Sequence, residues 1–268
     1  MQSFVNRYAA ALLLGAGAAA LGVWLWLRPP ADLRAFDALK KDWDADRCLA
    51  LARRHPRTTG GLAALLLACP ASAEARSLLE EWLPDADPRR LADALARAEG
   101  GWERERWLAP LLLARAREGH PDGGRLAAAA CVAAHAEDEP SAAYSEAADL
   151  IASRYPGSEG LERFCDGLAG PWAPRFERHL AAIRAANRHP AVRASATFAL
   201  ACLLQADPAR KGQAANLFQQ LVLDAEGTED RPATPTEKRF GSLARARLAE
   251  LKGVTEEAST AKPALAAE

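Results

Sequence analysis

The prolines of this chain are spaced so regularly that they restrict its fold before any other feature is read. Pro140, Pro156, Pro174, Pro190 and Pro208 stand 16, 18, 16 and 18 residues apart, so alternate members are 34 apart. Upstream, Pro56, Pro88, Pro121 and Pro156 follow at 32, 33 and 35. A proline cannot continue a helix, and it turns the residue before it away from the α conformation. The intervals therefore hold helices of about three turns joined by short connections. The chain predicts pairs of helices, repeated.

The residues between the prolines carry helical periodicity. Tyr144, Ala147, Ala148, Ile151 and Tyr155 share one face behind Ser141, a predicted N-cap, and Leu161, Phe164, Cys165 and Leu168 follow Ser158, a second predicted cap. Phe176, Leu180 and Ile183 repeat the spacing. Residues 192–204 are apolar almost all round and predict a central buried helix. Ala215, Phe218, Leu221 and Val222 form the next stripe, and Phe240, Leu243, Ala244, Leu248 and Leu251 the last. Two helices per 34 residues is the period of tetratricopeptide-type hairpins. The predicted fold class is all-α, a TPR-like antiparallel helical-hairpin array behind a single N-terminal transmembrane helix.

Three stretches share the form Ala-x-Arg-ring-Pro: 52–56, 152–156 and 186–190. One reading is a ligand or metal function shared by His55, Tyr155 and His189. The favoured reading is a repeated helix end. Basic residues suit the negative end of the helix dipole, and proline then stops the helix.

Half of the chain is apolar, much of it Ala, the strongest helix former and a poor strand former. The net charge of −1 gives no basic surface for nucleic acid. The five cysteines, Cys48, Cys69, Cys131, Cys165 and Cys202, show no C-x-x-C or zinc spacing and predict buried thiols. Their odd number argues mildly against an oxidising compartment.

Residues 8–27 hold no charge and are long enough to span a bilayer core, with Arg7 and Arg28 outside them and Tyr8, Trp24 and Trp26 at the ends. The alternative is a cleaved signal peptide, but the small-x-small triplet at 16–18 lies inside the apolar run. An uncleaved anchor is favoured. With 1–7 inside, the bulk of the chain faces the periplasm from a bacterial inner membrane. Behind the anchor the expected organisation is N-terminal helical repeats over 31–135, a polar break at 136–141, and C-terminal repeats over 141–252. A mobile loop at 224–238 and a disordered tail at 253–268 complete it.

The run from 142 to 254, with "AADLIASRYPGSEGLERFCDGLAG", "HPAVRASATFALACLLQ", "AANLFQQLV" and "FGSLARARLAELKGV", resembles a helical region of bacterial envelope redoxin proteins. There it precedes a thioredoxin-like domain. The resemblance lies in helix-packing residues and implies an envelope-facing accessory region. This chain departs from the pattern by lacking any C-x-x-C, so no redox role passes to a residue here.

No nucleotide-binding, zinc-protease or nucleophile-elbow motif occurs, and the sequence calls for no cofactor. Glu177 and His179, two apart on a helix, point to different faces. Glu103 and Glu105 predict a solvated face, and Trp102 and Trp107 predict core packing, with a partner surface as the alternative. The arginines at 175, 178, 184 and 188 form the one row worth testing against an acidic partner. The expected function is a non-enzymatic, membrane-anchored scaffold for another envelope protein or peptide. The alternative is an accessory subunit of a thiol-redox or respiratory system whose catalytic domain is on another chain.

Overall fold

The computed structural model describes residues 29–98, 102, 105–134, 140–168, 173–228 and 231–260, with backbone alone for 173–174 and 252–260. Every regular element among them is helical. None of these helices is long and apolar enough to cross a membrane. The expected anchor at 8–27 lies outside the described residues. The chain divides into two compact units, one ending at Leu79 and the other beginning at Glu80.

The first unit contains α1 (Ala31–Lys40), α2 (Ala45–Arg54), α3 (Thr59–Ala68) and most of α4 (Ala73–Trp82). Helix α3 is buried from Gly60 to Ala68 and is its centre, with α1 and α2 packed on it. Apolar residues all round α3 suit that place. Its first turn is satisfied twice. Thr58 Oγ1 accepts from Gly61 N–H at 3.2 Å, and Asp32 Oδ2, from α1, accepts from Gly60 N–H at 3.0 Å. Burial alone would raise the Asp32 pKa, but the Gly60 N–H and the Thr58 hydroxyl prevail and hold it below 3.8. At the other end Arg76 donates to the carbonyls of Cys69 (2.7 Å) and Pro70 (3.1 Å).

The second unit continues with α5 (Pro88–Arg97), α6 (Leu108–Arg117), α7 (Gly123–Ala133), α8 (Ala142–Arg154) and the short α9 (Glu162–Gly167). It ends with α10 (Glu177–Ala186), α11 (Pro190–Gln205), α12 (Lys211–Glu226) and α13 (Pro235–Thr260). Helices α6, α8 and α10 neighbour one another in one row, and α5, α7, α9, α11 and α13 form a second row against them. Side chains at the ends of the first-row helices reach back to a turn or helix end about one hairpin earlier. Arg115 Nη2 donates to Ala86 O at 2.7 Å. Arg154 Nη1 and Tyr155 Oη donate to Arg117 O (2.7 Å) and Ala116 O (2.6 Å). Asn187 Nδ2 donates to Pro156 O (2.8 Å) and Ser158 O (2.7 Å). The carbonyls of Ala116 and Arg117, in the last turn of α6, lack intrahelical partners, and those of Ala86, Pro156 and Ser158 lie in turns; all five are completed by side chains from farther along the chain.

Several expectations change. The predicted break at 136–141 separates nothing, because α7 packs directly on α8 and the division falls instead after Leu79. Ser141 caps α8, accepting from Tyr144 N–H at 3.2 Å, but Ser158 caps no helix; it belongs to the turn held by Asn187. In the α12 stripe Ala214, not Ala215, is buried beside Phe218, and Leu243 on α13 is 44% exposed.

The expected mobile loop at 224–238 is narrower. Helix α12 runs on to Glu226 and α13 begins at Pro235. Thr234 Oγ1 accepts from Glu237 N–H (3.2 Å), and the Glu237 carboxylate accepts from Thr234 N–H (2.8 Å), a reciprocal cap. Helix α13 also continues to Thr260, through the start of the expected tail at 253.

Candidate functional site

The four arginines nominated as a partner-binding row do not lie along one helix. Helix α10 begins at Glu177 and is capped at its end by Asn187, so Arg175 sits in the preceding 3-10 turn (Ala173–Phe176) and Arg188 lies beyond the helix. Arg178 is bonded to Asp149 at 3.1 Å while remaining 80% exposed, and Arg184 Nη2 donates to Gln220 Oε1 at 2.7 Å. Both are ties to neighbouring helices, α8 and α12. Arg188 is exposed. The four form a broken edge around α10, not a continuous basic stripe.

Glu177 and His179 diverge, as two helical residues at that spacing must. Glu177 takes both guanidinium nitrogens of Arg210, at 2.5 and 2.8 Å, and that bond holds its pKa low. His179 turns inward. Its ring is buried, packs edge-on to Phe176 (centroids 5.3 Å apart), and meets Asp149 Oδ1 through Nε2 at 2.8 Å. The His179 bond is the main reason the Asp149 pKa is lowered. His179 Nδ1 is buried without a partner among the described residues. No group of three or more His, Cys, Asp and Glu among the described residues is arranged to hold a metal ion.

The Ala-x-Arg-ring-Pro stretches have two different uses. His55 and Tyr155 are C-cap residues of α2 and α8. His189 is instead the N-cap of α11, with Pro190 at its first position, where a missing N–H costs nothing. His55 belongs to the first unit, and in the second Tyr155 and His189 stand at opposite kinds of helix end.

Cys48, Cys69, Cys131 and Cys165 are buried and Cys202 is half-buried, all as free thiols. Burial pushes Cys48 up to about 11 and lifts Cys131 and Cys165 further. Such thiols stay protonated and nucleophilically weak at neutral pH. Cys131, Cys165 and Cys202 lie two or three residues before the ends of α7, α9 and α11. They mark a repeated packing position on the second row.

A cleft of about 260 Å³ opens over α5 and α7, lined by Leu95, Ala96, Trp102, Ala129, Val132 and Arg163 among others. Trp102 is buried, as expected of a core residue, and its Nε1 donates to Leu95 O at 3.0 Å. Its ring forms part of the cleft wall, so the packing and surface readings of this residue meet. Trp107 is half-buried and donates to Glu105 Oε2 at 2.6 Å; Glu103 lies outside the described residues. The sequence reading passed over Arg115 and Asn187 and gave Arg154 only a place at the negative end of a helix dipole; all three bond carbonyls about thirty residues upstream. No family model, no curated protein and no solved structure matches this chain.

Proposed function

We propose that this chain is a non-enzymatic helical-repeat scaffold of TPR-like hairpins that holds another envelope protein or peptide. Residues 8–27 would tether it in a bacterial inner membrane, with the helical part on the periplasmic side. The observation behind this reading is the recurring cap, in which Arg115, Arg154 with Tyr155, and Asn187 each close the preceding turn at an interval of about one hairpin. Stacked helix pairs of this kind present extended surfaces, which repeat proteins use for binding. The apolar cleft beside Trp102 offers a seat for a partner side chain, and Arg188 a charge at another edge.

Crosslinking and affinity capture from native membranes with the full-length chain tests the proposal. Ala96 is exposed on the cleft wall, so Ala96→Trp fills the cleft from outside without entering the core. One partner in near-stoichiometric amount, reduced about tenfold by Ala96→Trp with an unchanged thermal melt, is the expected result. Recovery of no specific partner, or of equal amounts with both baits, sinks the reading. A thioredoxin-like partner would favour the redox-accessory role instead.

A further inference from the structure

A second cleft, of about 270 Å³, lies where the end of α10, the start of α11 and the end of α12 meet. The antiparallel course of α11 and α12 places Arg193, in the first turn of one, near the last turn of the other, which carries Asp224. Both line the cleft, and both are half-buried. Neither has a hydrogen bond or ion pair from its side chain among the described residues, including with each other. The cleft therefore presents one uncommitted cation and one uncommitted anion. Partial burial strips water from both, which makes a ligand carrying the opposite charges favourable there.

The neighbouring polar groups sort in the same way. Arg184 and Gln220 also line the cleft. Their mutual bond uses one guanidinium N–H and the amide oxygen, leaving N–H donors on both for an anion. Thr197 gives its hydroxyl proton to Arg193 O at 2.7 Å, so its oxygen is left as an acceptor for a cation. Glu237 reaches the wall, but Arg231 and Thr234 take its oxygens. The remaining lining is small and apolar: Ala185, Pro190 and Ala194.

We infer that this cleft binds a small zwitterion, a free α-amino acid with a short aliphatic side chain. Its carboxylate faces Arg193 and Arg184, its ammonium faces Asp224 and Thr197, and its side chain lies against the alanines. The inference stands apart from the scaffold reading and survives its failure.

The test is titration of the full-length chain with L-alanine, propionate and ethylamine, followed by calorimetry and ligand-observed NMR. The last two probes each keep one charge and lose the other. L-alanine should bind at least about tenfold more tightly than either. Arg193→Gln and Asp224→Asn should each weaken it about tenfold, while Lys238→Gln, at an exposed position outside the lining, leaves it unchanged. All variants are at half-buried or exposed positions, and their melts should match the parent. Absence of L-alanine binding at tens of millimolar overturns the inference. So does equal binding of propionate, which would mark a simple anion site, or binding indifferent to both cleft variants.

Discussion

Asn187 uses both protons of its amide on carbonyls that no helix can satisfy, those of Pro156 and Ser158. Its oxygen meanwhile accepts from His189 N–H at 2.9 Å, setting the entry to α11. Replacing it with Ala strands two carbonyls and loosens two helix ends, so Asn187→Ala should cost about 2–3 kcal/mol. A lowered urea midpoint with unchanged slope checks this. Tyr155→Phe removes a single bond from a buried oxygen and should cost about 1–2 kcal/mol in the same assay. The sequence exposed the rings before proline because proline is a local signal. It hid the partner of Tyr155 because a carbonyl 39 residues away leaves no mark in the spacing. Asn187 continues the register of Phe176, Leu180 and Ile183, so periodicity marks it as inward-facing but says nothing of the carbonyls it meets.

At the scale of single elements, α13 is the instructive case. The stretch "TPTE" at 234–237 spells a capping box with proline at the first helical position, yet it sits in a polar run that composition alone assigns to a loop. Glu237 is 2% exposed. Burial would raise its pKa, but Thr234 N–H and O–H together with Arg231 prevail and hold it below 4.5. A depressed carboxyl stabilises the fold above its unfolded value, and that contribution is lost as pH falls through the folded one. Glu237→Gln should therefore be less stable than the parent at neutral pH, with the gap closing as pH drops from about 5 toward 3. Paired denaturation curves across that range measure it. The crossing of α12 and α13 is equally tight: a Cβ on Gly241 would overlap Ala225. Gly241→Ala should cost about 1–3 kcal/mol despite the better helix propensity of Ala. Helix α11 offers the opposite case. His189 has extended N-cap geometry but no side-chain cap bond. His189→Asp should raise stability by about 0.5–1 kcal/mol, read as a higher melting temperature.

For the whole molecule, the helical class and the helices from 142 onward were legible, because Ala content, proline stops and apolar periodicity act locally and agree there, whereas 31–135 was legible only as helical repeats. The arginine row was not, since a 3-10 turn and an early cap interrupt the helix that was to carry it. Nor was the division after Leu79, which follows from long-range packing, not from a polar break. The thiols report on both units at once. Under native conditions a thiol reagent should modify Cys202 ahead of the other four, which should react only as denaturant opens the fold. Early modification of Cys131 or Cys165 would contradict the burial described above.

The backward-reaching caps also bear on synthesis. A ribosome delivers Ala116 and Arg117 well before Arg154 and Tyr155, and Pro156 well before Asn187. Between residues 86 and 187 a nascent chain thus ends in a hairpin whose newest turn is unsealed until roughly thirty more residues emerge. The growing edge is always the weakest point, and it moves toward the C-terminus with translation. A stall inside α9 would leave the turn after α8 open while the end of α6 was already closed, so truncated products should be trimmed by proteases back to the last sealed turn.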